Sequence, residues 1–246
     1  MAQRMKGRRV IITGAASGMG KGIAELFSAE GASMVLLDRD EEKLTAVAKA
    51  LGATASVCDV SDAASVESAV RNAVSTLGGL DGLVNSAGVL IIKPFPELDP
   101  ESWNRMIAVN LTGPYNMIRA ALPALKASPG ATIVNIASIS AFIPSPGGVA
   151  GYGATKAGLI MFGKGLAYDL APGIRVNTIC PGVICTEMTR FIWENPEHKA
   201  QAAESNALKR LGSTKDIANA ALFLSTDESA YTTGTEIIVD GGLSWR

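Results

Sequence analysis

A doubly wound α/β domain, with one parallel sheet covered by helices on both faces, follows from three features of the sequence. Seven short apolar runs (RVIIT, SMVLLD, TASVCD, LDGLVNS, ATIVNIAS, IRVNTIC and TEIIVD) have the length and branching of buried strands. Between them, apolar residues recur at intervals of three and four, which places one stripe on each helix. No linker, repeat or low-complexity tract divides the 246 residues, so 1–246 read as a single domain.

The elements follow in order. After the first run, Ile23, Leu26 and Phe27 mark a helix; after the second, Leu44, Val47, Ala48 and Leu51 mark another. Val66, Val70, Val74 and Leu77 follow the third run, and Leu159, Phe162, Leu166 and Leu170 the fifth. Ile217, Ala220, Ala221 and Leu224 precede the last. Near-continuous apolar strands between amphipathic helices are the pattern of a parallel sheet buried on both sides. The longest interruption, around 186–213, holds Met188, Phe191, Trp193, Pro196 and His198, and is expected to be a lid over the substrate.

Composition excludes several classes. A net charge of −1 gives no reason to expect a nucleic-acid partner. No apolar stretch approaches the ~20 residues that cross a bilayer, and no secretory pattern is present, so a cytoplasmic protein is expected. Cys58, Cys180 and Cys185 are odd in number and lack ligand spacing, which predicts free thiols in a reducing compartment and no metal site. The single histidine, His198, lies in a polar stretch. An acid/base group other than histidine is therefore expected.

Gly14, Gly18 and Gly20 stand between the first strand and its helix, where glycine lets the backbone approach a ligand and the helix start offers N–H groups to a pyrophosphate. Asp38 ends the second strand, about 20 residues on, where a carboxylate accepts hydrogen bonds from ribose hydroxyls. It would repel a 2′-phosphate, which favours NAD over NADP. The neighbouring Arg39 pulls the other way, since guanidinium pairs with phosphate.

With TGAASGMG, NSAG, YGATK and PGVICT in that order along essentially its whole length, the chain resembles the short-chain dehydrogenase/reductase family. The resemblance implies a Rossmann-type domain with a seven-stranded parallel sheet, assembled as a homotetramer or a dimer. It implies that Thr13 to Gly20, with Ser17 and Met19, hold the pyrophosphate. Asp59 and Val60 would contact adenine; Asn85, Ala87 and Gly88 belong to a strand-end motif in which Ser86 departs from the family's second Asn. Pro181, Gly182, Ile184 and Thr186 would orient the nicotinamide, and Asn110 would anchor a water linked to the lysine. Ser138 matches the substrate-binding serine, although the interval to Tyr152 is about one residue longer than the family's. Ser140 competes with it, since the two would share a face of an extended strand. Trp245 would either pack across an interface or fold back locally.

Tyr152 and Lys156 lie at i and i+4, on one face of a helix. A phenol of pKa ~10 is a poor base near neutrality, and an adjacent ammonium would lower it toward the working range. Small Gly153 and Ala154 would leave room for the cofactor. The expectation is hydride transfer between a hydrophobic secondary alcohol and its ketone, with Tyr152 as acid/base, Lys156 as its tuner, Ser138 on the substrate oxygen and NAD as cofactor. Phe142, Val149, Met188, Phe191 and Trp193, with Leu90 and Ile91, are the expected pocket wall. An NADPH-dependent 3-oxoacyl-carrier-protein reductase and a nucleotide-binding scaffold without turnover are the alternatives.

Overall fold

The computed structural model describes residues 3–144 and 147–244; Trp245 and positions 145–146 of the loop before Tyr152 lie outside them. The chain starts β1 (Arg9–Thr13), α1 (Gly18–Ala29), β2 (Ser33–Asp38), α2 (Glu41–Leu51), β3 (Thr54–Val57) and α3 (Ala63–Leu77). Next come β4 (Gly82–Asn85), α4 (Pro100–Ile107), α5 (Gly113–Lys126), β5 (Ala131–Ile136) and α6 (Ala150–Asp169). It closes with β6 (Ile174–Pro181), α7 (Arg190–Trp193), α8 (Pro196–Ser205), α9 (Thr214–Leu224) and β7 (Glu236–Val239). All seven strands are parallel, in the order β3-β2-β1-β4-β5-β6-β7.

The period of two in each strand sorts side chains onto two cores. Val10 and Ile12 of β1, Met34 and Leu36 of β2, and Val134 and Ile136 of β5 face α1, α2 and α9. Their neighbours Ile11, Val35, Leu37 and Ile133 face α3 and α5, where Val66, Val70, Met117, Ile118 and Leu125 cover them. Each seam is dry, and burial of a Leu or Ile side chain stabilises by roughly 1.5–3 kcal/mol. The sheet order reverses between β1 and β4, and a crevice opens there at the carboxyl ends of the strands, the usual ligand position of such sheets.

The apolar stripes marked α1, α2, α3, α6 and α9 but not α4, α5, α7 or α8. Between α4 and α5 the backbone forms a π turn, Ala108–Thr112, and α5 carries an internal Pro123. The 186–213 segment is a short 3₁₀ turn followed by α7 and α8, with no extended strand beyond a single bridge from Ile184 to Gly212. No described helix is long and apolar enough to cross a membrane.

At the opposite end of the sheet, Arg9 grips Asp81. Its Nε and Nη2 each donate at 2.8 Å, and the backbone N–H of Arg9 donates at 2.9 Å. The Ser128 hydroxyl completes the shell, and together these donors hold the Asp81 carboxyl well below the usual carboxylate range. The pair pins β1, β4 and the turn before β5. An Asp81→Ala variant should unfold with about 1–3 kcal/mol less free energy at pH 7, as expected when buried donors lose their acceptor. A depressed carboxyl stabilises above its unfolded value of ~3.9 and loses that contribution as pH falls, so urea midpoints of parent and variant should converge in acid.

Candidate active site

The glycine turn is built by β1 and β4 together. Thr13 Oγ1 accepts from the N–H groups of Ser86 (3.0 Å) and Ala87 (3.1 Å), drawing the two strand ends together. Gly14 lies at φ +66°, and a Cβ there would stand 2.8 Å from the backbone of Ala87. Only glycine fits. Ser17 begins α1 without a side-chain cap, whereas Asp40, Asp62 and Asp99 cap α2, α3 and α4. The first N–H groups of α1 thus face the cleft with no partner of their own, which is the arrangement that takes an anion.

That cleft encloses about 280 Å³ and is lined by Gly14, Ser17, Gly18, Met19 and Gly20 at one point and Asp38 and Arg39 at another. Asp59, Val60, Ala87, Gly88, Thr186 and Met188 also line it. Asp38 is fixed by two backbone donors, Ala16 N–H (3.0 Å) and Asp40 N–H (3.1 Å). Asp59 is likewise held by the Ser61 N–H (2.9 Å) and hydroxyl (2.6 Å). An elongated slot with an anion-binding helix start, a carboxylate at the strand end and apolar Val60 fits a dinucleotide. Gly14 to Gly20 would hold its phosphates and Asp38 its ribose.

Several expected residues lie elsewhere. Asn85 is buried, its amide N–H donating to Asn135 Oδ1 at 2.9 Å inside the sheet, so it holds β4 to β5 and does not reach the cleft. Ile184 is buried in the core under Gly212, and Gly182 packs on Asp240. Met188, expected on the substrate, lines the cofactor cleft instead. The Trp193 indole N–H donates to the Thr186 carbonyl (2.8 Å), so this ring ties α7 to the start of the 186–213 segment. Gly153 leaves no room for a cofactor: a Cβ there would meet the Ser140 carbonyl at 2.6 Å, so it serves the packing of α6 on that turn.

The cleft has members that no motif announced. Arg105, from α4, reaches it and sits 3.9 Å from Asp59. Glu187 joins from the 186–213 segment. Arg105 lies near the end of α4, just before the π turn, and its position depends on how α4 packs, not on a local pattern.

The expected reacting groups converge beyond Gly88. A Cβ on Gly88 would stand 3.4 Å from Asn110 Oδ1 and 3.6 Å from Lys156 Nζ. Asn110, carried by the π turn, is wholly buried; its Oδ1 accepts from Val89 N–H (2.8 Å) and its Nδ2 donates to Val89 O (2.9 Å) and Thr155 Oγ1 (3.2 Å). Ser138 follows β5, and its Oγ accepts from the Ser140 N–H at 3.1 Å. The two serines do not share a strand face, because the strand stops at Ile136 and a 3₁₀ turn occupies 139–141. Phe142 and Phe191 are exposed, and Val149 is half-buried at the start of α6.

Lys156 is buried, with Nζ donating to the Ile136 carbonyl at 2.8 Å and lying 5.6 Å from the centre of the Tyr152 ring. Burial pushes the ammonium down to about 8. Desolvation also pushes the Tyr152 phenol up to about 12, and Ser138 offsets this only in part. In the free protein desolvation dominates the phenol, while Lys156 lies over the ring face with one of its N–H groups on the Ile136 carbonyl.

Known proteins share the fold and length of this chain. A family profile described as Enoyl-(Acyl carrier protein) reductase matches residues 14–244. The chain is 40% identical, over 99% of both chains, to a 2,5-dichloro-2,5-cyclohexadiene-1,4-diol dehydrogenase of Sphingobium indicum. The chain belongs to the short-chain dehydrogenase/reductase family. It is 36% identical to 3beta-hydroxysteroid dehydrogenase 1 of Eggerthella lenta, over 99% of this chain and 96% of that one. Its fold superposes at a TM-score of 0.94 on a gluconate 5-dehydrogenase of Burkholderia cenocepacia in complex with NADP and tartrate, 31% identical over 100% and 98% of the chains.

The lysine gives a direct measurement. The Cε resonance of Lys156 should titrate with a midpoint near pH 8, against ~10.4 for a free side chain. Between those values the native state binds fewer protons than the unfolded one, so this group favours folding more as pH rises. A midpoint above about 10 would contradict the burial described.

Proposed function

We propose that this protein is an NAD(H)-dependent dehydrogenase that interconverts a hydrophobic secondary alcohol and its ketone. The observation that carries the reading is that Asn110 and Lys156 meet at Gly88, which lines a slot that fits a dinucleotide, with the Tyr152 ring centre 5.6 Å from Lys156 Nζ. Such a cofactor supplies the hydride acceptor or donor when bound. The chain's own part is proton handling and alignment. Ser138 keeps a free hydroxyl proton, since its Oγ is an acceptor toward Ser140, and can donate to a substrate oxygen. Tyr152 exchanges the proton with that oxygen. In the free protein its phenol is neutral, the form that donates. Lys156, buried beneath the ring, orients it and contributes positive charge to the site.

Cofactor choice rests on Asp38. Its carboxylate is tied by Ala16 and Asp40 and cannot swing aside for a 2′-phosphate, which supports NAD. Arg39 and Arg105 in the same cleft act in the opposite sense, and we weight the fixed carboxylate more. Phe142, in the stretch between Ser138 and Tyr152, and Phe191, on α7, are exposed and available to an apolar substrate.

We further propose a homotetramer. Tyr115 on α5 and Met161 and Tyr168 on α6 are exposed, and a helix with apolar residues around its whole circumference is ordinarily covered on more than one side.

Absorbance assays over varied secondary alcohols test the chemistry. NAD should exceed NADP in kcat/KM, and Tyr152→Phe should lower kcat by about 10²–10⁴. Full turnover by the variant would remove Tyr152 from its role, and a preference for NADP would reverse the weighting of Asp38. Sedimentation should return the mass of four 25.4 kDa chains; a monomer would refute the assembly.

A further inference from the structure

On the dehydrogenase reading, the substrate side would be bounded by two separate stretches of chain: the one after β4, carrying Leu90 and Ile91, and the one before α6, carrying Phe142 and Val149. The backbones of these two stretches touch. The Lys93 N–H donates to the Gly148 carbonyl at 2.9 Å. Gly148 has φ +96°, and a Cβ there would stand 2.3 Å from the Lys93 carbonyl carbon and 2.4 Å from Pro94 N. Those are backbone atoms of the facing stretch, so no side-chain rotation makes room. Both the conformation and the contact demand glycine.

Each partner is anchored behind the junction. Lys93 Nζ donates to Ser102 Oγ at 2.9 Å and pairs with Asp99, the residue that caps α4 by accepting from the Ser102 N–H at 2.7 Å. On the other side, Val149 O accepts from Gly153 N–H at 2.8 Å in the first turn of α6, the turn that holds Tyr152. Gly151 in that turn approaches α4, where a Cβ would meet Met106 Cε at 2.6 Å. The junction therefore joins two pocket walls and fixes both relative to the tyrosine.

We propose that the Lys93–Gly148 contact is a specificity-determining clamp that sets the width of the substrate end of the site. This rests on the dehydrogenase reading, in which those walls face the substrate. Loosening the clamp admits bulkier alcohols and leaves the dinucleotide slot unchanged, because the chain between β4 and Lys93 is held separately at Ser86 and Ala87 by Thr13 and at Val89 by Asn110.

The test is Gly148→Ala, whose added Cβ must separate the two stretches. With NAD, the ratio of kcat/KM for 1-phenylethanol to that for 2-propanol should rise at least fivefold, while the Kd for NADH stays within twofold of the parent. The Lys93 amide should exchange with deuterium at least tenfold faster. An unchanged ratio, or an NADH affinity that falls in step with it, would overturn the proposal. Should Gly148→Ala fail to fold, Lys93→Met should move the ratio the same way by at least twofold, with Lys93→Arg close to the parent; no movement overturns the clamp. If the parent oxidises neither alcohol, the dehydrogenase reading fails on its own. The clamp is then judged by exchange: faster exchange at Lys93 in Gly148→Ala upholds it, and equal exchange refutes it.

Discussion

Lys156 has its ammonium inside the protein, and the carbonyl of Ile136 is the acceptor that makes this tolerable. A buried charge without a partner costs several kcal/mol, so the helix carrying Lys156 is held to the end of β5 by the need to keep that bond. Much of the site follows from it. With α6 fixed over β5, Tyr152 comes to rest beside Ser138, which closes the same strand, and Thr155 meets Asn110. The same burial that anchors the lysine also lowers its proton affinity and raises that of the phenol, so position and acidity have one cause.

The second constraint is the π turn at Ala108–Thr112. An ordinary helical register from α4 into α5 would point Asn110 elsewhere; the widened turn lets its amide pair with both backbone groups of Val89. That pairing closes the strand-end loop against α6 and brings Gly88 to within van der Waals reach of Asn110 and Lys156. The cleft and the side chains of Asn110 and Lys156 thus share a wall at Gly88, although Asn110 and Lys156 are far apart in the chain. The asymmetry of helix caps acts alongside it, since α1 alone of the first four helices starts without a side-chain cap, and it starts in the cleft.

Local pattern carried the strands because the inner ones lie between two apolar faces and must be apolar nearly throughout, and all seven runs became strands in one parallel sheet, the edge strands β3 and β7 being half-exposed. It carried the glycine turn and Asp38 for a similar reason: a tight turn and a strand-end carboxylate are short-range devices, and the structure brings both to one cleft. The i, i+4 relation of Tyr152 and Lys156 likewise needs only a helix.

What only the tertiary structure decided are the relations between distant segments. Asn85 turned into the sheet because its strand partner is Asn135, and nothing within NSAG specifies that neighbour. Arg105 and Glu187 entered the cleft through the packing of α4 and of the 186–213 segment. Gly153 proved to serve the Ser140 carbonyl and Lys156 to meet that of Ile136, while burial raised the phenol. The sequence by itself determined the period of each element and the residue types of the site. Which carbonyl, ring or carboxylate each residue meets depends on contacts between elements far apart in the chain, and those distances exist only after packing.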